Sequence, residues 1–196
     1  AGIAGLSCAY AFARRGHQVT IYDQSAPLAG ASGNPLALLN PRLGRIEQSA
    51  EHLVTLAWQY AIAHYQKFKA FRPIQVNQLA LKQEDDLLEL AEQYPHGVFA
   101  EKVNQSELET EFPSLKLLQA GTVSPHQLRD QILEHPAIQF QQAEIAELKT
   151  VSNIQVIDSK QQCLGEFDHV IICAALNSKN FAQQFPKLKP NRGQVS

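Results

Sequence analysis

The chain has 196 residues, of which 44% are hydrophobic and 18% charged, and its formal net charge is −2. That length holds one ordinary domain or two small ones, and the near-neutral balance excludes nucleic-acid binding by overall charge, leaving only a local basic patch. No apolar run reaches the roughly 18 residues that a membrane-spanning helix needs, and no secretory signal is read at Ala1; the three cysteines, read as reduced thiols, make the cytoplasm the expected compartment.

The elements follow in order. Residues Ile3 to Arg15, rich in alanine and leucine, predict a helix that Gly16 ends as a C-cap. Gln18 to Tyr22 predicts a strand closed by Asp23, and a loop with Gly30, Gly33 and prolines runs on to Pro41. Leu53, Leu56, Tyr60, His64 and Phe68 at helical spacing predict a long amphipathic helix from Ser49 to Phe71. The middle mixes a strand (Ile74 to Leu81) with helices (Glu84 to Tyr94, Gln105 to Glu111). Ser124 then serves as N-cap, and Pro125 opens a helix running to His135. Strands return at Ile138 to Phe140, Ala143 to Leu148, Ile154 to Ile157 and His169 to Ala174. An α/β opening, a mixed insert and a β-rich close predict a Rossmann-like domain interrupted by a mixed α+β substrate domain. The expected division is 1–45, 46–136 and 137–196.

The opening residues carry the first chemical signal. Dinucleotide-binding folds begin with a strand, then G-x-G-x-x-G, then a helix whose N-terminus faces the pyrophosphate. Gly2-Ile3-Ala4-Gly5 supplies the second and third glycines, and the first, with its strand, is expected upstream of Ala1. The chain has no methionine and stops at Gly193-Gln194-Val195-Ser196, so both ends are read as cuts in a longer protein. Asp23 ends a strand about 18 residues beyond Gly5, where this fold places an acid against the ribose hydroxyls. An ordinary turn and a solvated strand-end acid are the plain alternatives.

About seven residues after Asp23 comes Gly30-Ala31-Ser32-Gly33-Asn34-Pro35. Glycines, acid and loop together resemble the D-amino-acid-oxidase-like flavoenzymes, which include glycine and sarcosine oxidases. G-A-S-G-N followed by Leu36 to Pro41 is most similar to one branch. That branch is the FAD-dependent oxidoreductase domain of bifunctional tRNA-modification enzymes acting on 5-carboxymethylaminomethyl-2-thiouridine. Gly121 to Pro125 resembles the family's passage out of its substrate domain, Val170 to Ala175 the apolar strand beneath FAD, and Arg192 to Ser196 an R-G-Q-V-S element.

The resemblance implies FAD as cofactor, a tRNA substrate met through the parent enzyme, a methyltransferase domain fused upstream, and oxidation of a C–N bond. It implies that Gly2, Ile3 and Ala4 face the pyrophosphate, that Gly5 in the same cofactor-binding motif lets helix and strand pack closely, and that Asp23 holds the adenosine ribose. Ala31 and Ser32 belong to the phosphate loop, with Ser32 donating to a phosphate oxygen. Ala37 and Leu38 pass their backbone near the isoalloxazine ring, Ile145 presents backbone to adenine, and Ala174 lies on the strand beneath the cofactor. Family members often carry glycine where Ala37 and Ala175 stand, and a methyl group there restricts φ. Flavin oxidation of an amine needs no side-chain nucleophile, so no catalytic residue is named.

The remaining candidates have structural explanations. His17, His52, His64, His96, His126, His135 and His169 are scattered without H-E-x-x-H, and Cys8, Cys163 and Cys173 lack metal or disulfide-framework spacing, so no metal is expected. Cys8 and Cys173 lie in apolar runs and read as buried reduced thiols. Glu84-Asp85-Asp86 faces a helix dipole, Trp58 suits helix packing, and the basic stretch Lys187 to Arg192 is a solvated loop or a tRNA-backbone contact. Two other readings stay open: a free-standing small-amine oxidase, and an inactive interaction module that lacks its first strand and binds FAD poorly.

Overall fold

A computed structural model of the chain describes residues 1–40, 53–80, 89, 91–94, 97, 100–103, 110, 112–181 and 186. They fall into two compact units, Ala1–Asn34 with Arg129–Ser196, and Pro35–Leu128.

In the first unit, α1 (Ile3–Ala13) buries Leu6, Ala9 and Ala13 at helical spacing, and the small alanines let it pack closely on the strand that follows. Its C-terminal turn is closed by the Gly16 amide on the Ala13 carbonyl (3.0 Å) and the His17 amide on that of Phe12 (3.3 Å). Gly16 has φ +89°, a left-handed value that explains the glycine. The strand β1 (Val19–Asp23) pairs in parallel with a distant strand of the same unit, Ile138–Gln142, in the register Val19↔Ile138 to Asp23↔Gln142. Parallel neighbours need a long crossover, and here most of the chain supplies it.

The second unit is built around one long strand. In chain order it contains β2 (Ala37–Leu39), α2 (Leu53–Tyr65), β3 (Phe71–Leu79), β4 (Ala100–Val103) and β5 (Ser114–Val123). β5 pairs antiparallel with β2, β3 and β4, with a bulge opposite Ile74 and Val76. Leu115 and Leu117 are fully buried, with Val76 and Ala91 packed on them. A side chain on Gly121 would overlap the Phe71 ring, so glycine lets that ring lie across β5.

α2 is shorter than expected and turned differently. It ends at Tyr65, where i→i−3 bonds from Lys67 and Phe68 tighten the chain into β3. The buried face carries Thr55, Trp58 and Ile62, whereas Leu53, Leu56 and Tyr60 are exposed. The Trp58 indole donating to the Gln119 carbonyl (3.1 Å) fixes that face. β3 starts at Phe71, three residues before the expected strand. The expected helix at 105–111 lies, apart from Thr110, outside the described residues, as does most of the one at 84–94.

α3 (Pro125–Leu133) begins as expected: Ser124 Oγ accepts the Gln127 amide (3.4 Å), and the division between units falls within this helix. The chain then forms β6, the Ile138–Gln142 strand already described, and an antiparallel sheet of β7 (Ile145–Thr150), β8 (Ile154–Asp158) and β9 (Cys163–Phe167). The buried Asp158 carboxylate closes the β8–β9 turn by accepting the amides of Lys160 (2.9 Å) and Gln162 (2.8 Å). The Tyr22 hydroxyl donating to the Leu164 carbonyl (3.4 Å) ties β1 to this sheet.

One expected strand is absent. His169–Ala174 is irregular and leads into a 3₁₀ helix, Ala175–Phe181. A strand exists through its ladder, and among the described residues none pairs with this segment, so Ile171 and Ile172 remain exposed.

Candidate dinucleotide site

The site is assembled at the N-terminus of α1. Gly2 is the N-cap in extended conformation, and the first intrahelical bond runs from the Leu6 amide to the Gly2 carbonyl (3.1 Å). The amides of Ile3, Ala4 and Gly5 therefore lack acceptors within the helix and point outward at its positive end. Such a terminus receives phosphate.

The loop after β1 folds back onto this end. The Leu28 amide donates to the Ala1 carbonyl (2.9 Å), and the Gly33 amide to the Gly30 carbonyl (2.9 Å). Leu28 has φ +71°, and its carbonyl lies where a side chain on Gly33 would stand, so glycine at 33 permits the close turn. That turn delivers Ser32, whose Oγ accepts the Ile3 amide at 3.1 Å. Its hydroxyl hydrogen is left to donate to another oxygen. Ala31, beside it, is exposed.

Asp23 closes the other side. Its Oδ1 accepts the Ser25 amide (2.9 Å), Oδ2 meets the Ala1 nitrogen, and the side chain is one-quarter exposed (26%). A carboxylate has about four lone-pair sites, so capacity for ribose hydroxyls remains. The Asp23 carbonyl accepts the Ala143 amide (2.9 Å), which brings the start of β7, and Ile145, close along the chain. Burial pushes up the pKa of Tyr22, next to Asp23, and this keeps its hydroxyl a donor.

The structure thus gathers Gly2, Ile3, Ala4, Gly5, Asp23 and Ser32, with Ala31 and Ile145 adjoining. Ala174 arrives differently. Its neighbour Cys173 packs over Gly5, whose own Cβ, if present, would lie 3.6 Å from that of Cys173. The Ala174 amide donates to the buried Ser178 Oγ at 3.2 Å. Ala37 and Leu38 belong to the second unit, opposite Val123 and Thr122 on β5, with Leu38 exposed.

Sequence reasoning missed the positive φ of Leu28, since nothing in an apolar residue type signals it, whereas at Ala175 (φ +50°) the glycine common in the resembling family was the signal. It also missed the approach of Cys173 to Gly5, although a glycine inside a helix is a sign of close packing. Cys8 and Cys173 are half-buried rather than buried. Among the described residues no group of three or more His, Cys, Asp or Glu is placed to hold a metal. No described helix is long and apolar enough to cross a membrane.

The donor set fits a dinucleotide. Amides without an acceptor inside the helix stand at the end of α1, a methyl group on Gly2 would meet Ser32 Oγ, and the strand-end acid Asp23 contacts the Ala1 nitrogen. These features define a dinucleotide-binding protein of Rossmann type. The chain belongs to the FAD dependent oxidoreductase family, whose family model matches residues 1–196, and FAD is that family's cofactor.

Among curated relatives, the chain is 52% identical over 197 residues to the tRNA 5-methylaminomethyl-2-thiouridine biosynthesis bifunctional protein MnmC of Acinetobacter baylyi, covering 100% of this chain and 32% of that protein. It is 34% identical over 220 residues to the protein of the same name from Psychrobacter cryohalolentis, again covering 100% of this chain and 32% of the relative. The chain spans about a third of the length of these relatives. Among solved structures, it shares a fold with the fructosyl amine: oxygen oxidoreductase (Amadoriase I) of Aspergillus fumigatus. The TM-score is 0.69 at 13% identity, covering 93% of this chain and 48% of that one.

Proposed function

We propose that this chain is part of an FAD-dependent enzyme that removes the carboxymethyl group from 5-carboxymethylaminomethyl-2-thiouridine at the tRNA wobble position. The observation that carries this reading is the 52% identity, along the whole chain, to a protein named for the biosynthesis of the 5-methylaminomethyl product. FAD, when bound, supplies the two-electron acceptor for oxidation of the secondary amine. The net change is C–N oxidation and hydrolysis, leaving an aminomethyl group and glyoxylate.

The chain's own residues bind and orient. The Ala4 amide and the positive end of α1 receive the pyrophosphate, and Ser32, held by the Ile3 amide, donates to a phosphate oxygen. Asp23 accepts from ribose hydroxyls, and the Ile145 backbone meets adenine. Ala37 and Leu38 present backbone on the isoalloxazine side, and Ala174 lies beneath the cofactor. The same polypeptide carries a methyltransferase domain and works in the cytoplasm on tRNA.

The test is to express the polypeptide extended at both ends, read bound flavin by absorbance, and compare turnover on unmethylated tRNA, glycine and sarcosine. Glyoxylate release from tRNA alone is expected. Comparable turnover of free glycine or sarcosine would replace this reading with that of a small-amine oxidase.

A further inference from the structure

Two thiols beside the dinucleotide site have no part in the proposed chemistry. Cys8 stands one turn after Gly5 on α1, and residues three apart on a helix share a face. Cys173 covers that face: a Cβ on Gly5 would lie in van der Waals contact with that of Cys173, 3.6 Å away, and Cys8 adjoins Cys173. Both cysteines are free and half-buried, so a small oxidant has access to the pair, while the third cysteine, Cys163, is exposed on β9.

We propose that Cys8 and Cys173 form a reversible disulfide on exposure to a peroxide, fastening the α1 helix to the segment that precedes Ala174. Burial, and then the adjoining Cys8, push the Cys173 pKa up to about 11, so Cys173 stays a thiol at neutral pH. Cys8 sulfur takes one peroxide oxygen as the O–O bond breaks, giving a sulfenic acid and one water. Cys173 sulfur then displaces the hydroxyl, the S–S bond forms, and a second water leaves with the Cys173 proton. The two sulfurs lose two electrons in all, and these reduce the peroxide to two waters. The link joins two segments from opposite ends of the described sequence, and it restrains the helix whose first turn forms the phosphate cradle.

The experiment treats purified protein with hydrogen peroxide, blocks remaining thiols, and maps peptides by mass spectrometry with and without dithiothreitol. A Cys8–Cys173 linked peptide that disappears on reduction is expected, and it should form equally in Cys163→Ser. Cys8→Ser and Cys173→Ser should each abolish it. The Cys163→Ser protein, which keeps both sulfurs, makes the result independent of whether those two variants fold. Oxidation of Cys8 to sulfinic acid without a link, a link through Cys163, or both thiols remaining unoxidised would each overturn the proposal.

Discussion

Gly2 and Ser32 are fitted to one another: a Cβ on Gly2 would stand 2.9 Å from Ser32 Oγ, the atom that accepts the Ile3 amide. Backbone and hydroxyl thus share a space with no room for a methyl group. Gly2→Ala is expected to displace Ser32 and weaken FAD binding, and Ser32→Ala to lower stability by about 1 kcal/mol through loss of the cap. Flavin fluorescence titration and urea unfolding measure the two effects. Unchanged FAD affinity in Gly2→Ala would remove this cradle from the cofactor site.

Gly33→Ala is expected to be worse for stability, because its Cβ would meet the fixed Leu28 carbonyl rather than a rotatable side chain. A loss of about 1–3 kcal/mol follows from overpacking of this kind. Chemical denaturation checks it, with Gly30→Ala as the comparison, since a Cβ there meets nothing within 4 Å.

Ala175 holds φ +50°, a left-handed conformation at a position where glycine is common in the resembling flavoenzymes. The left-handed region costs an L-residue about 1–2 kcal/mol, partly offset by the greater freedom of glycine in the unfolded chain. Ala175→Gly should therefore stabilise the protein by up to about 1 kcal/mol. A lower midpoint in urea would contradict this.

Asp23→Ala should weaken FAD binding about 10–100-fold, the loss expected when hydrogen bonds to a charged acceptor are removed. Fluorescence titration gives the number. Asp23→Asn keeps one acceptor oxygen and should fall between the two.

The Cys173 thiol is raised from 9.0 to about 11, mainly by burial and then by Cys8, so the folded state holds its proton more tightly than the unfolded state. Its contribution to stability is complete below pH 9 and is lost as pH rises towards 11. Cys173→Ala should flatten the stability profile in that window, as read from thermal melts across pH.

Much of this was legible in the sequence because it rests on local physics. Glycine spacing, Gly16, Asp23 and the Ser124-Pro125 cap each act within a few residues. What escaped depends on partners far along the chain. The burial of Trp58 instead of Leu53 and Tyr60 is set by the Gln119 carbonyl, on another element. His169–Ala174 has the composition of a strand but no described neighbour to pair with. β9 and the full length of β5 were missed because polar and glycine residues interrupt their patterns, and only the ladder shows them as strands.

The parallel pairing of β1 with β6 also bears on how the protein is made. Val19 and its partner Ile138 leave the ribosome with the entire Pro35–Leu128 unit between them. At typical elongation rates β1 waits on the order of ten seconds for its neighbour. During that interval the inserted unit can begin to fold, while the long-range β1–β6 pair must wait. Slowing translation within Pro35–Leu128 should prolong the exposure of β1 and raise its demand for chaperones.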